Sequence, residues 1–260
     1  MNYDLIVIGG GPAGYVAAIR GAQLGKKVAC VENDRAGGTC LNWGCIPTKA
    51  LLKNAELYHT LSHRAAEFGL RIEGLSFDWS KVIGRSRGVS DKLNKGIEFL
   101  FKKNKVDYIK GTASIPAAGS VEVTSAEGKK EIHEAANILI ATGAKSRAMP
   151  GFPFNGKTVI GSKEAMTLEK QPKSVIVIGA GAIGIEFAYF FNAYGTKVTV
   201  VEMLPNILPV EDTEVSQTLE KSLTKAGIRI LTNTKVAGTS EDGKSVKIIV
   251  EGASAETLEA

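Results

Sequence analysis

The sequence predicts an α/β protein of two Rossmann-like dinucleotide-binding domains, with parallel sheets and a small antiparallel β-meander. Three observations lead there. A glycine motif occurs twice, an acidic residue follows each copy at the same distance, and a two-cysteine loop stands behind the first copy. The repeat carries the most weight, because a lone glycine motif fits a turn in any α/β protein. Leu5-Ile6-Val7-Ile8-Gly9-Gly10-Gly11-Pro12-Ala13-Gly14 recurs, 175 − 5 = 170 residues later, as Val175-Ile176-Val177-Ile178-Gly179-Ala180-Gly181-Ala182-Ile183-Gly184. Beyond it Gly25 matches Gly195, Lys27 matches Lys197, Val28 matches Val198, and Glu32 matches Glu202.

Each copy reads as strand, Gly-x-Gly-x-x-Gly, helix, glycine stop, strand, acid. The first glycine makes the tight turn, the second admits a pyrophosphate to the backbone, and the third lets the helix lie close on the sheet. The helix start offers unpaired N–H groups and the positive end of its dipole to phosphate. The acid can accept hydrogen bonds from ribose hydroxyls. Two such copies predict two dinucleotide sites.

The elements between them follow from pattern. Residues 48–68 place Ala50, Leu51, Leu52, Ala55, Leu57, Tyr58, Leu61 and Ala65 on a broad apolar helix face. Asp78–Lys103 reads as a second helix with Asp78 as N-cap, despite Gly84, Gly88 and Gly96. Lys102, Lys103 and Lys105 suit its solvated C-terminal end. Val106–Lys110, Ser120–Thr124 and Lys130–His133 are short β runs, and Ile138–Ile140 is a buried strand ending at Ala141-Thr142-Gly143. Met149-Pro150-Gly151-Phe152-Pro153 reads as a linker, dividing a first domain, 1–150, from a second, 151–260.

Composition narrows the class. The chain has 260 residues, 32 basic against 27 acidic side chains, 44% hydrophobic residues and only three cysteines, which excludes disordered, collagenous and disulfide-stapled chains. A pI near 9.0 without a basic cluster gives no reason to expect nucleic acid. No stretch approaches the ~20 apolar residues of a membrane span, and no signal peptide is evident. A cytoplasmic, reducing location is expected.

Cys40 and Cys45 lie in Gly37-Gly38-Thr39-Cys40-Leu41-Asn42-Trp43-Gly44-Cys45-Ile46-Pro47-Thr48-Lys49. No second pair completes a zinc site, and His59, His63 and His133 read as surface or helix-face residues, so no metal is expected. In a regular helix, positions five apart point about 140° apart. Bridging the two sulfurs therefore requires an irregular chain at Cys40–Gly44, with the regular helix entered at about Cys45. A thiol at a helix start suits a redox role. The alternative is two unpaired buried cysteines, and the glycines favour the first. Cys30, within Val28–Val31, reads as a buried small hydrophobe.

The run Gly38–Lys49 resembles the redox-disulfide signature of the class I pyridine nucleotide–disulfide oxidoreductases, which share an FAD/NAD(P)-binding fold. The resemblance extends along the chain, in the order FAD fingerprint, disulfide, Ala-Thr-Gly segment, second fingerprint. It implies FAD on Gly9, Gly11, Gly14 and Glu32, with further contacts from Thr39, Lys49, the backbone of Gly111, Thr112 and Ala113, and Ala141, Thr142 and Gly143. It implies a nicotinamide cofactor on Gly179, Gly181 and Gly184, with Val236 near the adenine. Glu202 favours a free 2′-hydroxyl, and no Arg follows in Met203-Leu204-Pro205-Asn206, so NAD is expected over NADP.

The loop is most similar to that of the members acting on dihydrolipoamide. This implies a Cys40–Cys45 disulfide, Cys40 meeting substrate and Cys45 facing the flavin, with Lys49 near the flavin and paired with Glu186. The implied partners are lipoyl domains of a 2-oxo acid dehydrogenase complex and, at full length, a second copy in a homodimer. The family's Gly-Asp dipeptide and its dimerisation domain, with a His–Glu acid/base pair, have no counterpart in the sequence. The chain is therefore expected to be an N-terminal portion of a longer enzyme, its second domain incomplete, and by itself inactive on lipoamide. Alternatives are another disulfide reductase, such as a mercuric-reductase-like one, or a non-catalytic nucleotide-binding fragment.

Overall fold

The computed structural model describes residues 3–241, 245–253 and 255–260. In chain order its elements are β1 (Tyr3–Ile8), α1 (Pro12–Gln23), β2 (Val28–Glu32), α2 (Gly38–Trp43), α3 (Cys45–His63), a 3-10 turn (Ala65–Phe68), α4 (Trp79–Lys103), β3 (Asp107–Lys110), β4 (Thr112–Ala117), β5 (Ser120–Thr124) and β6 (Lys130–Ile140). After these come α5 (Ser162–Ala165), β7 (Ser174–Ile178), α6 (Ala182–Ala193), β8 (Lys197–Val201), α7 (Thr213–Lys225), β9 (Arg229–Leu231), β10 (Thr234–Glu241), β11 (Val246–Gly252) and β12 (Glu256–Glu259). The mixed α/β class, with parallel and antiparallel sheets, is as the repeat implied. Among the described residues no helix is long and apolar enough to cross a membrane.

The chain forms two compact units, Met1–Pro47 with Arg87–Lys145, and Thr48–Ser86 with Ser146–Ala260. They divide the chain elsewhere than a single cut after residue 150. Residues 48–86 go with the second unit because Leu51, Ala55, Trp79, Val82 and Ile83 share a core with Phe187, Phe190, Phe191 and Tyr194.

In the first unit six strands run in the order β3-β2-β1-β6-β5-β4. The first four are mutually parallel and the last three form an antiparallel meander. Ile6 and Val7 are both fully buried, as expected for a strand covered on both faces. Val7, Val28 and Cys30 pack on one side, and Ile6, Ile8, Ala29 and Val31 on the other. The two runs expected at Lys130–His133 and Ile138–Ile140 are one strand. Its first half pairs with β5 through Ser120↔Glu134, and its second half pairs with β1 from Tyr3↔Ala135 to Ile8↔Ile140. No glycine or proline interrupts residues 134–137, so the ladder continues. β4 lacks an apolar alternation and contains Pro116, which is tolerated because β4 is an edge.

In the second unit β7, β8 and β9 form a parallel sheet and β10, β11 and β12 an antiparallel one. The helix is entered at Cys45, as expected, and carries the face read at 48–68, but it ends at His63, with the 3-10 turn carrying the remainder to Gly69, where φ is +71°. Asp78 caps α4 as expected, its Oδ1 accepting from the Lys81 amide at 3.2 Å. Trp79, at the helix start, lies 5.4 Å from the Phe190 ring and donates to the Leu168 carbonyl at 2.8 Å.

Candidate active site

The two glycine turns are built alike. Gly9 and Gly179 take φ of +107° and +96°, a region that strains any other residue. A Cβ on Gly14 would stand 1.7 Å from the Gly9 carbonyl oxygen, and one on Gly184 would stand 2.1 Å from that of Gly179. Each third glycine therefore lets its helix start beneath the first turn. The middle glycines face open space instead: a Cβ on Gly181 would meet nothing within 4 Å, and one on Gly11 only the Gly38 Cα at 3.7 Å. Gly11 and Gly181 are the N-caps of α1 and α6 and bring no side-chain cap, so the first-turn amides are left for a ligand. Both turns thus fit a pyrophosphate.

The acids are equivalent down to their hydrogen bonds. Glu32 Oε2 accepts from the Gly10 amide at 2.7 Å and Oε1 from Asp34 at 2.8 Å. Glu202 Oε2 accepts from Ala180 at 2.7 Å and Oε1 from Leu204 at 2.9 Å. Each carboxylate ties its glycine turn to the loop after the next strand, and an oxygen's second lone pair remains for a hydroxyl. Glu202 is buried, Glu32 half-buried.

Gly111 and Ala141 join the first turn at the carboxyl ends of the parallel strands. The Gly111 amide donates to the Glu32 carbonyl at 3.0 Å and that of Ala141 to Ile8 at 2.8 Å. A Cβ on Gly9 would reach the Ala141 oxygen at 2.2 Å. Thr112 and Ala113 open β4, while Thr142 and Gly143, with φ +69°, continue past β6. This is the edge where open α/β sheets bind nucleotides. In the second unit Val236 packs with Ile178 and Val201 beside the other turn.

The cysteine segment departs from expectation. Residues 38–43 are helical, not irregular, and the break is confined to Gly44, at φ −150° and ψ −120°. Cys40 sits half-buried in α2, and Cys45 is the exposed first residue of α3, so the alternative of two buried cysteines does not hold. A Cβ on Gly44 would press the Thr39 oxygen at 3.0 Å, so the tight junction favours glycine. Thr39 itself is exposed. Gly38 nests against the first turn, where its Cβ would lie 2.5 Å from Gly11 Cα. Cys30 is fully buried, and burial first, then the Glu32 charge, pushes its thiol up to about 12. Lys49 and Glu186, 137 residues apart, form an ion pair. Lys49, Leu52, Lys53, Glu56 and Tyr189 line a shallow groove there.

Sequence reasoning missed a stripe on α4. Arg87 Nη1 donates to the Asn42 carbonyl at 2.8 Å, and Asn94 Nδ2 to Ala36 at 2.6 Å. Asp91 pairs with Arg35 at 2.6 Å. The signal in the sequence was limited to polar residues at helical spacing, 87, 91 and 94, in register with the apolar Ile97 and Phe101.

A family model described as pyridine nucleotide-disulphide oxidoreductase matches residues 3–260. A dihydrolipoyl dehydrogenase from Chlorobaculum parvum is 45% identical over 261 residues, covering 100% of this chain and 55% of that protein. One from Zymomonas mobilis is 46% identical over 252 residues, covering 97% and 54%. Among solved structures, LpdA from Mycobacterium tuberculosis superposes with a TM-score of 0.88 at 27% identity, covering 98% of this chain and 56% of its own. The Cu(II) complex of the HOCl-induced flavoprotein disulfide reductase RclA from Escherichia coli gives 0.84 at 28%, covering 100% and 55%. The chain spans about half the length of the relatives it matches.

Proposed function

Because the chain belongs to the pyridine nucleotide-disulphide oxidoreductase family, we propose that it supplies the nucleotide sites and thiol pair of an NAD-linked dihydrolipoyl dehydrogenase. The overall reaction is dihydrolipoamide + NAD⁺ → lipoamide + NADH + H⁺. What carries this reading is the junction at Gly44, which puts Cys40 in one helix and Cys45 at the mouth of the next, beside a glycine turn suited to a dinucleotide.

In this reading the first turn binds FAD and the second binds NAD⁺. Bound FAD supplies a two-electron relay between a dithiol and NAD⁺. The chain's own part begins with a Cys40–Cys45 disulfide. One substrate thiolate attacks Cys40 Sγ, forming a mixed disulfide and releasing Cys45 as thiolate. The second substrate thiol then displaces Cys40, leaving oxidised lipoamide and a reduced Cys40/Cys45 pair. Two electrons and the thiol protons have passed to the enzyme. Glu186 holds the Lys49 ammonium in place on α3, four residues beyond Cys45. Gly9, Gly11, Gly14, Glu32, Thr39, Gly111, Thr112, Ala113, Ala141, Thr142 and Gly143 are assigned to FAD. Gly179, Gly181, Gly184, Glu202 and Val236 are assigned to NAD⁺. Glu202 disfavours a 2′-phosphate by charge repulsion. The partners we propose are lipoyl domains of a 2-oxo acid dehydrogenase complex and a second copy of the whole protein, in the cytoplasm.

The test is dihydrolipoamide-dependent reduction of NAD⁺ by the full-length protein. Cys40→Ser and Cys45→Ser should each fall to the uncatalysed background, and NADP⁺ should be a poor substitute. Serine variants as active as wild type would overturn the assignment. Reduction of some other disulfide, with lipoamide refused, would keep the chemistry and replace the substrate.

A further inference from the structure

We propose that Arg87 is a positioning residue for the Cys40–Cys45 pair, holding the last turn of α2 in the geometry from which the two sulfurs can bridge. This rests on reading the two cysteines as a redox pair, and adds to it what fixes their relation.

The C-terminal carbonyls of a helix look to donors beyond its own ladder. α2 ends at Trp43, and Gly44 takes the chain out of helical geometry at once, so the Asn42 carbonyl takes an outside donor. Arg87 supplies it from α4: Nη1 donates to the Asn42 carbonyl at 2.8 Å. Nη2 reaches its own helix at Ser90 Oγ, 3.3 Å away. The guanidinium also lies 5.0 Å over the Trp43 ring, whose Nε1 donates to Asp34 at 2.8 Å. A cation here also suits the negative end of the helix dipole. Only a planar fork makes both bonds and the stack together, so lysine is a partial replacement.

The same face of α4 braces the start of the segment. Asn94 donates to the Ala36 carbonyl, which also accepts from Asn42 Nδ2 at 2.9 Å, and Asn42 Nδ2 reaches the Gly38 carbonyl at 3.0 Å. Residues 87, 90, 91 and 94 recur at helical spacing, so one rigid helix grips both ends of α2. Asp91 and Arg35 are the charged neighbours of the guanidinium, and burial lowers its pKa from the ordinary arginine value.

The experiment equilibrates the reduced 260-residue chain with glutathione disulfide. Each chain disulfide formed consumes one glutathione disulfide and releases two glutathione thiols, so the equilibrium reads the effective concentration of one cysteine for the other. Arg87→Met should lower that concentration roughly tenfold, a potential about 30 mV less negative, as a lost charge-assisted hydrogen bond implies. Arg87→Lys should fall roughly threefold and serves if the methionine variant does not fold. Arg85→Met removes a like bond, from Arg85 Nη1 to the Ala50 carbonyl at 3.0 Å, and should lower the melting temperature without moving the equilibrium. The proposal is overturned if both Arg87 variants stay within twofold of wild type, or if Arg85→Met shifts the equilibrium equally. A wild-type chain that forms no Cys40–Cys45 bridge would overturn the redox reading itself.

Discussion

The three glycines of each motif do different work, and single substitutions should separate them. Gly14→Ala and Gly184→Ala push a methyl into a carbonyl oxygen at 1.7 and 2.1 Å, so the helix must leave its sheet. We expect each to cost several kcal/mol, about the upper range for overpacking, in urea unfolding. Gly181→Ala meets open space and should keep wild-type stability to within about 0.5 kcal/mol while weakening NADH binding by calorimetry. A Gly181→Ala chain that binds NADH as wild type does would refute the assignment of that turn. Cys30 offers a pH test. Its thiol is held at about 12, above the ordinary 9.0, so the folded state keeps a proton that the unfolded chain releases. That contribution is intact below about pH 9 and is lost as pH rises toward 12, at about 1.4 kcal/mol per unit. Urea midpoints between pH 9 and 10 should fall in wild type and flatten in Cys30→Ala. An identical slope in both would contradict the burial argument.

Among the elements, α4 shows how far local sequence reaches. Its N-cap Asp78 and its end at Lys103 were readable, because capping and apolar spacing are local. Its glycines were tolerated rather than needed: Gly88 is exposed, helical and open to a Cβ. Gly88→Ala should therefore stabilise the chain by about 0.5–1 kcal/mol in urea unfolding, and a loss would show a contact that the helix surface does not reveal. The polar stripe of Arg87, Asp91 and Asn94 was not readable as a brace, because its partners Ala36 and Asn42 offer only backbone oxygens, which sequence does not mark. α2 was expected to be irregular because bridging cysteines five apart needs a break in the helix, and that break is confined to Gly44. Gly38 and Asn42 are both poor helix formers, and a donor from α4 reaches the helix at the Asn42 carbonyl. β4 escaped because an exposed edge strand carries no alternation.

At the scale of the molecule, the repeat made the two turns and the two acids visible, and the structure builds them with the same hydrogen bonds. The grouping of 48–86 with the second unit was hidden, since it depends on Trp79 meeting the rings of Phe190, Phe191 and Tyr194. Trp79→Ala should cost about 3–5 kcal/mol in thermal or urea unfolding, as large aromatic deletions do; a change below 1 kcal/mol would mean that this cluster does not hold the unit together. The central claim is that Cys40 and Cys45 act as one redox pair. The most direct measurement is peptide mapping by mass spectrometry after mild oxidation, without reduction, of the intact chain. One peptide pair joined through Cys40 and Cys45 is expected, with Cys30 left as thiol. Cys40 and Cys45 both recovered as alkylated thiols, or either joined to Cys30, would contradict it.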